Sequence, residues 1–458
     1  MEVLISNGRI VNAHESKRAD LLIKDGKIRK IGENLLSESS SVKTIDASGH
    51  DIFPGGIDPH VHMHLPTPAG FSADDFLSGS KAALYGGTTT ILDFVTPKKG
   101  QKLPDAIEER KAEAQKCLTN DSFHVSPIEW RESIPEEIEE AIQKGFRSFK
   151  VYMAYKDSIG LYDEALLKVM KAIGIVEGTL LVHCEMGDEI EALRNQLFEE
   201  NKTAPEYHPL SRPPELEAQA VKKAINFAAE ANCTLYIVHV STSQSLEYIR
   251  EAQLRGQKVY AETCPQYLLL NDRKYQGDFK DTAAFVMSPP LRKKEDNLAL
   301  WDAMKEGVVK TIGTDHCPFT LKQKESGKND FRKIPNGAGG LEHRISLLYT
   351  YGVLEGKISL NQLIELTSTN AAKIFGLYPQ KGLIAEGSDA DLVIWNPHSK
   401  GIISSKTHHM NCDLNIYEGS AIKGSAEVVI LAGQVVLEKG KLIEQLSHGK
   451  FLRTKSSY

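Results

Sequence analysis

The sequence predicts an α/β chain: a (β/α)8 barrel of the TIM type with a small β-sandwich domain built from both chain termini. Three observations carry that expectation. Eight apolar runs of strand length lie at 57–62, 88–95, 122–125, 146–152, 179–185, 234–241, 258–263 and 309–315, with helical patterns between most of them. Most of these runs are nearly continuously apolar, as strands covered on both faces must be. Both ends of the chain instead show short apolar–polar alternations. A doubly wound open sheet is the competing architecture, but no GxGxxG follows an early strand.

Residues 1–54 are expected to form the first part of the sandwich. VLISNGRIV, ADLLIKDGKIRKIG and KTIDASGHDIF are joined at Asn7-Gly8, Asp25-Gly26 and Ser48-Gly49, and the first two junctions are hairpin signals. Residues 55–381 form the barrel. One helix covers 72–85, ends at Gly86-Gly87 and leads directly into TTTILDFV. Another covers 133–144, where Ser133 and Glu136 have capping-box spacing and Gly145 is the stop, with FRSFKVYM next. Residues 382–458 complete the sandwich with GSDADLVIWNP and AEVVILAGQVVLEKGKLI, and add a tail.

Composition narrows the function. A chain of 458 residues with 41% hydrophobic and 25% charged residues is globular and buries a large core. A net charge of −6 without a strongly basic segment argues against a nucleic-acid partner. The start, MEVLISNGRIVN, lacks the layout of a signal peptide, and no run approaches the ~18 apolar residues of a membrane span. Cys117, Cys184, Cys233, Cys264, Cys317 and Cys412 are scattered without CxxC, which reads as reduced thiols in a cytoplasmic protein.

Chemistry gathers where the apolar runs end, the face on which such barrels build active sites. GIDPHVHMHLPTP ends the first run with His60 and His62, whose side chains share a face because they are two apart. His64 falls among Pro66 and Pro68, beyond the strand. SFKVYM carries Lys150, LLVHCE ends in His183, LYIVHVS in His239 and TIGTDH in Asp315. Taken singly, a buried histidine is more often a core residue than a ligand, Lys150 more often a paired or snorkelling lysine, and Asp315 a helix cap. Together, four imidazoles and a carboxylate at one barrel mouth suit zinc. A lysine among cations is favoured as the neutral amine, which adds CO2 to give a bridging carbamate. His64, His124, His208, His316 and His343 are left as structural or supporting groups, KQKESGKNDFRK (322–333) as a solvated loop, and Cys184 and Cys317 as facing away from the site.

These fragments resemble the cyclic amidohydrolases of the urease-related superfamily, within it the hydantoinase/dihydropyrimidinase group. PGGIDPHVHMHLP, SFKVYMAYKD, LLVHCE, LYIVHVS, ETCPQYLLL, SPPLR, GTDHCPF, PNGAGGLEHR and GSDADLVIWNP occur in that group's order over nearly the whole chain. The resemblance implies two Zn2+ per subunit. His60, His62 and Asp315 would hold one and His183 and His239 the other, with carboxylated Lys150 and a hydroxide bridging them. It implies that Tyr155 binds the substrate carbonyl, that backbone groups of Ser288 and Asn336 hold a cyclic ureide or imide, and that Asp315 moves the proton. The implied reaction opens a hydantoin or dihydropyrimidine ring to an N-carbamoyl amino acid, in a homotetramer or, alternatively, a dimer.

Related activities are weighed on single features. Dihydroorotases of the superfamily often have an arginine two residues after the second histidine, where this chain has His64. Allantoinases usually lack the MAYKD tyrosine context, and mononuclear deaminases generally lack the lysine that Lys150 supplies. A non-catalytic scaffold relative would have lost ligands that are all present here. Loops 65–71, 94–97 and 154–160 are placed to line the mouth, with Phe71 and Phe94 as apolar surface for uncharged ring substituents.

Overall fold

The computed structural model describes residues 2–36, 42–156, 158–443 and 449–455. The eight apolar runs become eight parallel strands: β1 (Gly56–Asp58), β2 (Thr88–Val95), β3 (Asn120–Val125), β4 (Ser148–Tyr152), β5 (Thr179–His183), β6 (Thr234–Ile237), β7 (Val259–Thr263) and β8 (Thr311–Ile312). They pair in chain order. The ring closes just beyond β1 and β8, where Val61 bridges His316 in parallel and the His62 N–H donates to the His316 carbonyl at 2.8 Å. Ile57, Leu92, Leu181 and Tyr236 fill the interior with Ala371 and Phe375, which plug the end where β4 and β5 start.

The expected strands overrun at the end that bears the chemistry. β1 stops at Asp58 because Pro59 has no N–H to give the ladder. β6 stops before His239 and β8 before Asp315, residues with φ of 40° and 51°, which a strand does not accommodate. The helix expected over 72–85 begins at Phe76, capped by an Asp75–Ser78 box, because Ser72 and Ala73 bond instead to Leu65 and Pro318. In the helix Ile134–Gln143, the expected Ser133–Glu136 box does not form. Ser133 has helical dihedrals rather than the extended ones a cap needs, and its hydroxyl donates to Glu137 at 2.7 Å.

The terminal segments make two further sheets. One has four strands, all from residues 2–46; the other has seven, joining Arg9–Val11, Ser16–Arg18 and Asp51–Pro54 to Leu392–Ile402, Ala421–Leu431, Gln434–Glu438 and Lys441–Leu442. Val3, Ile5, Leu21, Ile23, Ile52, Leu392, Ile394 and Ile430 are buried in one cluster between them. Asp25-Gly26 is a two-residue hairpin turn with both φ positive. Asn7-Gly8 is not: it hands the chain from one sheet to the other. The Asn7 N–H is taken by Asp20, and a Cβ at Gly8 would come within 2.4 Å of Ile52 Cδ1, so the glycine serves close packing. Segment 322–333 is not a solvated loop throughout, since Lys324 is buried. Among the described residues no helix is long and apolar enough to cross a membrane.

Candidate metal centre

The residues at and just past the strand ends face one another. His60 Nε2 and His62 Nε2 lie 3.2 and 3.1 Å from the same oxygen, Asp315 Oδ1. His183 Nδ1 is 2.9 Å from His239 Nε2. The rings of His60 and His239, 5.5 Å apart between centroids, join the two groups. Lys150 projects from β4 among them and makes no hydrogen bond or ion pair among the described residues. Its Nζ lies 4.8 Å from the Phe94 ring and 4.9 Å from that of Tyr152. Its charge acts on Asp315 and on each of the four histidines.

Two of the other imidazole nitrogens are committed elsewhere. His60 Nδ1 meets Glu262 Oε1 at 2.6 Å, and His183 Nε2 meets Glu185 Oε2 at 2.8 Å. A histidine that donates one N–H to a carboxylate offers the other nitrogen as a lone pair. His60 Nε2 is indeed buried without a hydrogen-bond partner, and a histidine–histidine–aspartate triple with converging donor atoms is what a divalent cation takes. The donor set therefore fits a metal.

The electrostatics divide the four histidines: without a metal the carboxylates around His60 favour its protonated form, which a bound cation would displace, whereas the other three are held neutral. Burial opposes charge on His60, but Glu262 and Asp315 outweigh it and raise the imidazole to about 9. Burial lowers His62, His183 and His239 and keeps them neutral, the form that ligates. Burial also brings the Lys150 amine down to about 8, against the pull of Asp315 and Glu262. Burial pushes against the Asp315 charge, yet His60 and His62 hold its carboxyl well below the usual range.

Tyr155 stands beside this centre at φ 60°, its ring 5.5 Å from that of His183 and its hydroxyl 3.5 Å from Arg212 Nη2. Arg212 is also ion-paired with Glu185. Ser288 and Asn336 lie in two loops that touch at the Gly337 N–H and the Val286 carbonyl, 3.1 Å apart. Neither residue forms a hydrogen bond among the described residues, and Ser288 Oγ is buried without a partner. The five histidines left above as structural or supporting groups have partners of their own. His124 bonds Ser148 and Pro59, His208 the Met287 carbonyl, His316 Asp74, and His343 Asn415, while His64 stacks on Phe71. Phe94 does not line the mouth: it is 4% exposed and packs under His60 and His62.

The comparisons with known proteins follow this geometry. Residues 52–436 match the amidohydrolase family. The chain is 43% identical over 456 residues to a D-hydantoinase of Geobacillus stearothermophilus, covering 99% of this chain and 96% of that one. It is 41% identical to a dihydropyrimidinase of Rattus norvegicus, over 98% of this chain and 88% of the relative. The chain belongs to the hydantoinase–dihydropyrimidinase branch of the amidohydrolase family. The crystal structure of a dihydropyrimidinase from Brevibacillus agri superposes with a TM-score of 0.97 at 40% identity, covering all of both chains.

Sequence reasoning missed this amidohydrolase's supporting carboxylates. Glu262 is the charged residue in an otherwise uncharged, largely buried strand, β7, and that exception was the available signal. Glu185 follows His183 by two residues, the spacing that brought His60 and His62 together.

Proposed function

We propose that the chain is a hydrolase that opens the ring amide bond of hydantoins and dihydropyrimidines to give N-carbamoyl amino acids. The carrying observation is Asp315 Oδ1 shared by His60 and His62, opposite His183 and His239, in a chain some 40% identical over its length to D-hydantoinases and dihydropyrimidinases.

His60, His62 and Asp315 would hold one zinc ion and His183 and His239 a second. Two cations held there would supply hydroxide near neutral pH and polarise the substrate carbonyl. Lys150 balances their charge as a carbamate. The neutral amine attacks the carbon of CO2, an N–C bond forms, the displaced C=O electron pair rests on oxygen, and the amine proton leaves to solvent. Asp315 takes the proton of the attacking water and delivers it to the leaving ring nitrogen. The Tyr155 hydroxyl donates to the oxygen of the carbonyl under attack. The unpartnered backbone groups of Ser288 and Asn336 match the planar N–H and C=O edge of a ureide. With Phe94 buried, Phe71, 51% exposed, is the aromatic left at the mouth to meet a ring substituent.

We assign catalysis to residues 55–381 and scaffolding to 1–54 and 382–458, in a cytoplasmic homotetramer. The deciding experiment supplies metal and identifies products from dihydrouracil, hydantoin, both enantiomers of a 5-substituted hydantoin, allantoin and dihydroorotate. Ring opening of the first two supports the reading; turnover of only allantoin or dihydroorotate replaces it with those activities, and no turnover of any ring refutes it.

A further inference from the structure

We propose that Lys324 is a positioning residue for substrate, a clamp that fixes the two loops presenting Ser288 and Asn336. The inference rests on the reading that backbone groups of those residues hold the ring. Lys324 ends the short helix Leu321–Lys324, which starts at a Thr320–Gln323 capping box. The side chain is 1% exposed. Its Nζ donates to the carbonyls of Val286 at 2.9 Å, Pro335 at 2.7 Å and Gly337 at 2.8 Å. An ammonium has three N–H bonds and meets three acceptors here, whereas a neutral amine leaves one carbonyl unmatched.

The placement of these acceptors is what points to substrate. Val286 is two residues before Ser288, and Pro335 and Gly337 flank Asn336. His208 fixes the Met287 carbonyl at 2.7 Å, directly before Ser288. Gly337 has φ 143°, and a Cβ there would lie 2.4 Å from the Cys317 carbonyl oxygen, so the second loop has little freedom. The neighbours of Ser288 and Asn336 are thus held while the polar groups of both residues stay free. A rigid frame around open donors and acceptors lowers the ordering cost of binding.

Lys324 has no carboxylate partner among the described residues. The groups that face it are the Phe319 ring, 5.6 Å from Nζ, and the thiols of Cys317 and Cys412. Burial pushes both thiols up, Cys412 to about 11, so neither is an anion near neutral pH. Burial also pulls the Lys324 amine down to about 7. Loss of its proton frees one carbonyl and loosens the frame, so substrate binding weakens as pH rises.

The test is steady-state kinetics of the metal-loaded enzyme on hydantoin and dihydrouracil. K324M is expected to raise KM about tenfold, to keep kcat within about threefold, and to retain the wild-type metal content. The wild-type KM is expected to rise from about pH 6 to about pH 9, across the titration of Lys324, while that of K324M stays flat. An unchanged KM in folded, metal-loaded K324M, or a fall in kcat alone, overturns the clamp. If K324M does not fold, the wild-type profile decides, and a KM constant over that range overturns it. A wild-type enzyme that opens neither ring sinks the functional reading instead, so the two failures are distinguishable.

Discussion

His60 Nδ1 lies 2.6 Å from Glu262 Oε1, and both side chains are sealed from solvent. The same carboxylate accepts the Tyr236 hydroxyl at 2.8 Å and the His239 N–H at 3.2 Å. One side chain from β7 thereby orients a ring that follows β1 and the backbone that follows β6. Glu262→Gln keeps the shape but replaces the anion with an amide that donates as well as accepts. Metal affinity is expected to fall about 10–100-fold, the usual effect of losing such a support. Equilibrium dialysis against a chelator with metal analysis measures it; undiminished retention removes Glu262 from that role.

Asp315 has φ 51°, a conformation that asparagine tolerates better than most residues. Asp315→Asn therefore preserves the backbone while removing the proton acceptor. Turnover is expected to fall on the order of 10²–10⁴-fold, with a melting temperature close to that of the parent. Substantial hydrolysis by the variant would take the base role from Asp315.

Tyr155→Phe deletes one hydroxyl and leaves the ring against His183 and Arg212. Arg212 keeps its pairing with Glu185, so the change is confined to the phenol. A drop in kcat on the order of 10²–10³ is expected from losing one oxyanion donor. Equal rates for the two proteins would mean that the phenol does not touch the reacting carbonyl.

The barrel was legible because burial on both faces writes strands as uninterrupted apolar runs, and β2 was legible to its ends. The chemistry-bearing termini were less so. His239 and Asp315 leave the strand through left-handed backbone, which tertiary contacts impose and periodicity does not record. The convergence of His60, His62, Lys150, His183, His239 and Asp315 followed from counting strand ends. Their orienting partners did not, because Glu262 and Glu185 matter through contacts with residues remote in the barrel or already assigned. Lys324 shows the same limit: in a run of charges it reads as solvated, yet three distant carbonyls make its burial tolerable.

Lys150 makes the stability of the metal-free fold depend on pH. Its folded amine sits at about 8 against an ordinary 10.5, chiefly through burial. Below about pH 8 the metal-free fold must hold a buried ammonium that the unfolded chain leaves in water, a cost on the order of 3 kcal/mol. Between about 8 and 10.5 the unfolded chain binds the extra proton, so stability rises with pH across that window. Lys150→Met removes the group and with it the slope. In metal-free protein at pH ~7 the variant is expected to be more stable than the wild type by roughly 1–3 kcal/mol, with the difference closing by about pH 10. With metal and bicarbonate supplied the order is expected to reverse, because the wild type alone forms the carbamate and gains binding energy for the folded state. Denaturant titrations of both proteins, with and without metal and across that pH range, measure both effects. A metal-free variant less stable than its parent at pH ~7 would show that the Lys150 charge is stabilised in place, and its readiness to take up CO2 would lose its physical basis.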